Sequence, residues 1–173
     1  MFVDMLNYGA EAQSYFGYGA DDLANSQLTA AQKAYGSGSK TLVSTLVQGD
    51  KWKASNLILK SNIQFMVAFA GLTDDMSARV QFTGHKGNVV DRTVAGKDFG
   101  VNGSFRYILI DDLVIADARQ EITITIYNTD GSVYTVCQES IQDYLARRSS
   151  VSSLFETIMK FADSAYAYLH RND

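Results

Sequence analysis

The periodicity of apolar residues changes twice along this chain, and that change limits the fold more than any other feature. Near both ends apolar side chains recur every three or four positions, as on one face of a helix. Between them they recur every second position, as on one face of a strand. In 61–69, Ile63, Phe65, Val67 and Phe69 share one parity. In 77–83, Ala78, Val80 and Phe82 do so, and in 121–127, Ile122, Ile124 and Ile126 alternate with Thr123, Thr125 and Tyr127. Further strand-like runs are 41–47, 56–60, 105–110 and 132–138. Asn128-Thr129-Asp130-Gly131 joins the last two strands, and Asp-Gly is a strong hairpin signal. Seven or eight short strands in about 100 residues predict an α+β fold: an antiparallel β-sandwich of the immunoglobulin or fibronectin kind with amphipathic helices on either side. The expected segments are a helical arm over 1–36, the sandwich over 40–138 and closing helices over 140–170 packed on it.

At the start, Phe2, Met5, Leu6, Gly9, Ala12, Gln13 and Phe16 fall on one helical face, widened by Tyr8 and Tyr15. Gly17 and Gly19 are expected to end this helix. Asp21 or Asp22 is expected to cap a second helix running to about Tyr35. Gly36-Ser37-Gly38-Ser39 reads as a joint. At the other end Ser140 is a candidate N-cap for a short helix. A longer one from about Leu154 to His170 carries Phe155, Ile158, Met159, Ala162, Ala165, Tyr166 and Leu169 on one face.

Composition excludes several classes. Among 173 residues the net charge is -4, and the pI near 5.1 argues against a general nucleic-acid binder, which needs a basic face. No apolar run approaches the roughly 18 residues of a membrane helix, so no membrane insertion is expected. One cysteine, Cys137, precludes an internal disulfide and reads as a buried small hydrophobe.

No catalytic constellation stands out, and no enzyme is expected. His85, in Gly84-His85-Lys86-Gly87, reads as a hairpin tip, and His170 as a helix end. Neither lies in a nucleophile motif. The pairs Asp21-Asp22, Asp74-Asp75 and Asp111-Asp112 read as loop or capping residues, with calcium ligation the alternative. Adjacent strand residues point to opposite faces, so neither Asp74-Asp75 nor Asp111-Asp112 alone supplies two facing acids for glycoside hydrolysis. Cys/His metal spacing is missing, and no metal or cofactor is expected. The candidate ligand-binding residues are aromatic: Trp52 between Lys51 and Lys53, and Tyr127 with Tyr134, which strand parity places on one outward face. Flat exposed rings suit sugar faces.

Two observations concern the ends. A shift of 153 positions superposes the first helix on the last, with Phe2 on Phe155, Ala12 on Ala165 and Tyr15 on Tyr168. The chain would then start with the closing helix of one unit and continue through a whole second unit, as a slice of a tandem array. Starting directly in a helix, with no leader, fits such a slice. Secondly, Leu6-Asn7-Tyr8-Gly9-Ala10, Ala12-Gln13, Tyr15-Phe16, Tyr18, Asp21, Leu23-Ala24-Asn25 and Leu28 form a pattern. It resembles the "LNYGAAAQ-YF-Y-TD-LAN" helix and loop of accessory modules in large secreted or surface proteins of gut Clostridia. Glu11 departs from it where a small residue is usual, and so does Gly19-Ala20-Asp21-Asp22. The resemblance implies an extracellular, non-catalytic spacer or interaction module. Its partners would be neighbouring domains of the same polypeptide, and polysaccharide or another protein.

Overall fold

The computed structural model describes residues 1–35, 48–59, 63–148 and 153–172. The predicted joint at 36–39 and strand at 41–47 lie outside the described residues. The helices are α1 (Phe2–Tyr15), α2 (Ala30–Ala34), α3 (Ile141–Ala146) and α4 (Ser153–Leu169). The strands are β1 (Trp52–Leu59), β2 (Ile63–Phe69), β3 (Ser77–Thr83), β4 (Val89–Ala95), β5 (Gly100–Asn102), β6 (Phe105–Leu113), β7 (Ile122–Tyr127) and β8 (Val133–Glu139). They form two compact units: a β unit from the middle of the chain, and a helical unit drawing on both ends.

The β unit holds two four-stranded antiparallel sheets, ordered β1-β2-β6-β5 and β4-β3-β7-β8. The period-two runs form these strands because each puts a continuous apolar row on one side. Phe65, Val67 and Phe69 of β2, Ile108 and Ile110 of β6, Ala78, Val80 and Phe82 of β3, and Ile122, Ile124 and Ile126 of β7 are all buried. Cys137 lies among them, fully buried, as expected. The arrangement is an α+β fold with the sheets as a sandwich. Bonds from the edge strands tie the layers together. On one side the Ser55 hydroxyl of β1 donates to the buried Glu139 carboxylate of β8. On the other, Arg92 of β4 donates to the Leu109 carbonyl of β6 at 2.8 Å.

Several boundaries differ from expectation. β4 and β5 have no clean apolar alternation; β4 is an edge strand whose inward positions include Arg92. The run expected at 56–60 begins earlier, at Trp52, past a register shift between Trp52 and Ala54. Asp111 and Asp112 lie on β6 rather than in a loop. The register passes from Phe65↔Ile110 to Ile63↔Leu113, so these two acids face only Gln64 across a bulge. Arg92 approaches both, at 3.9 and 3.4 Å.

In the helical unit, α1 and α4 run antiparallel. Glu11, late in α1, accepts from the hydroxyl of Ser153 at the start of α4, and Tyr8 stacks on Phe161 at 5.9 Å. Gly17 ends α1 with φ +83, whereas Gly19 keeps an ordinary extended conformation. The expected second helix shrinks to α2, capped not by Asp21 or Asp22 but by Thr29, which forms a reciprocal capping box with Gln32. Ser140 does cap α3, its hydroxyl accepting from the Asp143 amide at 3.1 Å. The apolar faces are only partly buried. Leu154, Ile158, Met159, Ala162 and Ala165 of α4 are covered, but Tyr166 and Leu169 are exposed. On α1 the buried residues are Asp4 and Ala10, while Phe2, Met5 and the following Phe16 are exposed.

The motif residues of α1 fold the next loop back onto the helix. Gln13 donates to the Asp22 carbonyl at 3.2 Å and accepts from the Ala24 amide at 2.5 Å. Asn7 donates to the Lys33 carbonyl and accepts from Asn25, each at 2.9 Å. Gly9 lets the loop approach, because a Cβ there would lie 3.0 Å from the Ala24 methyl.

Ile124 is fully buried at the centre of its sheet. Ile124→Ala is expected to lower stability by about 2–5 kcal/mol in urea titration. A loss under about 0.5 kcal/mol would show that this face is not the core.

Candidate functional site

Buried or charged groups flagged in the sequence serve first to hold loops. Asp117, 4% exposed, takes the His85 backbone amide at 2.7 Å and the His85 Nδ1 at 2.8 Å on one oxygen. Its other oxygen accepts from the Val114 amide at 3.0 Å. His85 is thus the hairpin tip between β3 and β4, pinned to the turn before β7. The His170 ring stacks on Tyr166 at 4.2 Å just past α4. Asp75, in the turn before β3, accepts from Thr73 and from Thr129, and these hydroxyls hold its carboxyl below the usual range. Asp74 pairs with Arg106. Among the described residues, no three His, Cys, Asp or Glu side chains come together as a metal site.

The three aromatic candidates separate into two places. Trp52 and Tyr134 lie at the edge where β1 meets β8. The half-buried Trp52 indole donates to the Ser55 hydroxyl at 2.9 Å, which in turn donates to Glu139. Tyr134 falls at a bulge: the register runs Ile126↔Thr135 and then Tyr127↔Val133, so Tyr134 has no partner of its own. Strand parity alone does not carry across such a bulge, and Tyr134 turns toward the other sheet, where its hydroxyl donates to the Ala70 carbonyl at 3.3 Å. The Lys51 ammonium lies 5.7 Å from its ring centre and pairs with Asp50 at 2.9 Å. That pair pushes the Lys51 amine up and the Asp50 carboxyl down. This edge is a packed corner with a polar rim.

Tyr127 lies elsewhere, on the outer face of the β4-β3-β7-β8 sheet. The registers set Arg79 and Gln81 beside Thr125 and Thr123 on one flank and Thr93 and Asp91 on the other. Arg79 grips Asp91 through two bonds, at 2.8 and 2.6 Å, and the Tyr127 hydroxyl sits against the same guanidinium. Gln81 adds a bond to Asp91 at 3.2 Å, and Gln138 donates to Glu121 at 2.9 Å. The result is a row of hydroxyl, amide and charged groups along the sheet, with the half-buried Tyr127 ring at one end. It can offer hydrogen bonds in a row but has no nucleophile beside a base. The Arg79 guanidinium holds the Asp91 carboxyl below its ordinary range.

A second surface belongs to the helical unit. Phe2 (65%), Tyr15 (69%), Phe16 (67%), Tyr18 (59%) and Tyr35 (85%) are exposed to these extents. Tyr15 and Phe16 meet edge-on at 5.3 Å. Phe2, Tyr15 and Phe16, expected on the packed face of α1, are thus exposed, and Tyr15 and Phe16 form an aromatic pair at its end. The signal was the excess: α1 carries apolar residues around more of its circumference than one packing face can cover.

No protein-family model, curated protein or solved structure matches the chain.

Two outcomes follow from these contacts. Asp117→Ala removes the acceptor of three bonds and is expected to cost about 3 kcal/mol in thermal or urea unfolding; a change under about 0.5 kcal/mol would show that the hairpin tip holds without it. Because the Asp91 carboxyl is held below its unfolded value, its contribution is present at neutral pH and is lost as pH falls below about 4. Asp91→Asn is expected to flatten the acid limb of a Tm–pH curve between about pH 5 and 2.5. An unchanged limb would show that the pair contributes nothing to stability.

Proposed function

We propose that this chain is a non-catalytic accessory module of an extracellular or cell-surface bacterial protein, acting as a spacer or interaction domain beside neighbouring domains of the same polypeptide. The observation that carries this reading is the aromatic surface of the helical unit, where Phe2, Tyr15, Phe16, Tyr18 and Tyr35 stand exposed. Exposed aromatics on a folded surface favour a docking role, since covering each large ring in a complex contributes on the order of 1.5–3 kcal/mol. The resemblance of the Leu6–Leu28 pattern to accessory modules of gut Clostridia supports the extracellular setting. The similarity between α1 and α4 supports a tandem arrangement. Within the β unit we favour an immunoglobulin- or fibronectin-like assignment. The orders β1-β2-β6-β5 and β4-β3-β7-β8 read as A-B-E-D and C′-C-F-G.

A second reading, a carbohydrate-binding module, is favoured by the outer sheet face, where Tyr127 stands beside Arg79 at one end of a polar row that runs on to Gln81 and Gln138. Trp52 and Tyr134 would serve it less directly, since both rings are tied into the β1–β8 edge.

The test combines Phe2→Ser, Tyr15→Ser and Phe16→Ser. Being exposed, these changes are expected to leave stability within about 0.5 kcal/mol each. In the parent polypeptide they are expected to speed limited proteolysis at the junction with the adjoining domain severalfold. An unchanged cleavage rate would overturn the docking role. Affinity electrophoresis on a polysaccharide panel decides the second reading: retardation lost in Tyr127→Ala would support it, and free migration in every gel would remove it.

A further inference from the structure

β4 offers a straight sheet edge to another chain. Among the described residues it forms one edge of the β4-β3-β7-β8 sheet. Its pairing with β3 runs from Ser77↔Ala95 to Thr83↔Val89 without a register shift. The Gly84 amide donates to the Asn88 carbonyl and the Gly96 amide to the Met76 carbonyl, each at 2.8 Å. These two bonds bracket the ladder and set its parity, so the even-numbered residues of β4 bond to β3. The N–H and C=O groups of Val89, Asp91, Thr93 and Ala95 therefore point away from β3, along the free edge. Such an edge is a template for a further strand.

Several features that commonly blunt an edge are missing from this strand. It is 7 residues long, has no bulge, and holds neither proline nor lysine. What it has is Arg92, in the inward row between Val90 and Val94 and beside the buried Val80 of β3. The guanidinium reaches across the sandwich. It donates to the Leu109 carbonyl at 2.8 Å and lies 3.4 Å from the Asp112 carboxylate. The side chain still keeps 31% of its surface in water. An inward-pointing charge of this kind is a known means of keeping an edge unpaired.

We infer that Arg92 guards this edge against a second copy of the chain. Two copies of β4 pairing antiparallel over their whole length would set Val89 opposite Ala95, Asp91 opposite Thr93, and Arg92 opposite its own counterpart. Like charges directly opposite are unfavourable in a sheet, and both guanidinium groups would lose the water they now keep. Shifts that keep the faces matched shorten the overlap, and in one direction set Asp91 against itself. Without the charge, the inward row of β4 would be wholly apolar and suited to pairing. Arg92 acts within the β unit and independently of the exposed aromatics of α1.

Sedimentation equilibrium and amide hydrogen exchange on the whole chain test this role. Arg92→Val is expected to self-associate at least about tenfold more tightly than the unaltered chain, or about 1.4 kcal/mol. As its concentration rises, the Asp91 and Thr93 amides are expected to exchange more slowly, because they point at the new neighbour. Arg92→Lys keeps the charge and is expected to associate no more than the unaltered chain. Adding Thr93→Pro to Arg92→Val removes an outward N–H without touching the β3 ladder, and is expected to reverse the association. If Arg92→Val does not fold, Arg92→Gln, which keeps a donor for the Leu109 carbonyl, carries the same expectation. Unchanged association in the folded neutral variant would overturn the role. So would association that leaves the Asp91 and Thr93 amides unprotected, that survives Thr93→Pro, or that Arg92→Lys shows equally.

Discussion

Burial of one apolar face on each of two sheets is the constraint on which the β unit rests. Phe65, Val67, Ile108, Ile110, Val80, Ile124 and Ile126 are almost wholly removed from water. Each full burial of such a side chain contributes on the order of 1.5–3 kcal/mol, and no other interaction in this unit has that scale or that number of members. Once the inner faces are committed, the alternation of the strands forces Arg79, Gln81, Asp91, Thr123, Thr125 and Tyr127 outward. The polar outer face is thus a consequence of the core. The spacing of the groups on that face is set by strand register.

Two carboxylates that enter the interior of the β unit, Glu139 and Asp117, take donors from another strand or loop. Glu139 is 1% exposed and takes the Ser55 hydroxyl, which also accepts from Trp52. Asp117 is 4% exposed and takes three contacts from two loops. A carboxylate in such a position is costly unless hydrogen-bonded, so each acts as a constraint on where the neighbouring loops can lie. The same bonds explain why Trp52 and His85 stood out in the sequence. They are polar-tipped rings at junctions, and junctions need a donor that can reach across.

How much of this was legible in the sequence depended on whether a residue's position follows from its own strand or helix. The inner faces of β2, β3 and β7 were readable because the period-two signal is local, and so was the Ser140 cap. β4 and β5 were not, since an edge strand need bury little and carries no strong alternation. Asp111-Asp112 and Tyr134 were misplaced for one reason: each sits at a bulge, where an extra residue breaks the parity count, and nothing nearby in sequence announces it. α1 was recognised as a helix that could pair with the last one, but which of its residues that pairing buries was not. Its buried positions, Asp4 and Ala10, are not the residues its hydrophobicity favours. Packing against α4 and against its own following loop decided them.

That last point bears on what the Leu6–Leu28 pattern encodes. Its most characteristic residues, Asn7, Gly9, Gln13, Ala24 and Asn25, touch one another: two amide side chains clamp the loop, and one glycine makes room for one methyl. A pattern of this kind specifies a helix-and-loop clamp, and any chain that needs the clamp would keep it whatever the rest of the molecule does. The aromatic residues interspersed with it, Tyr15, Phe16 and Tyr18, take no part in the clamp and stand in water. The polar letters of the pattern are therefore accounted for by folding, and the aromatic letters are not.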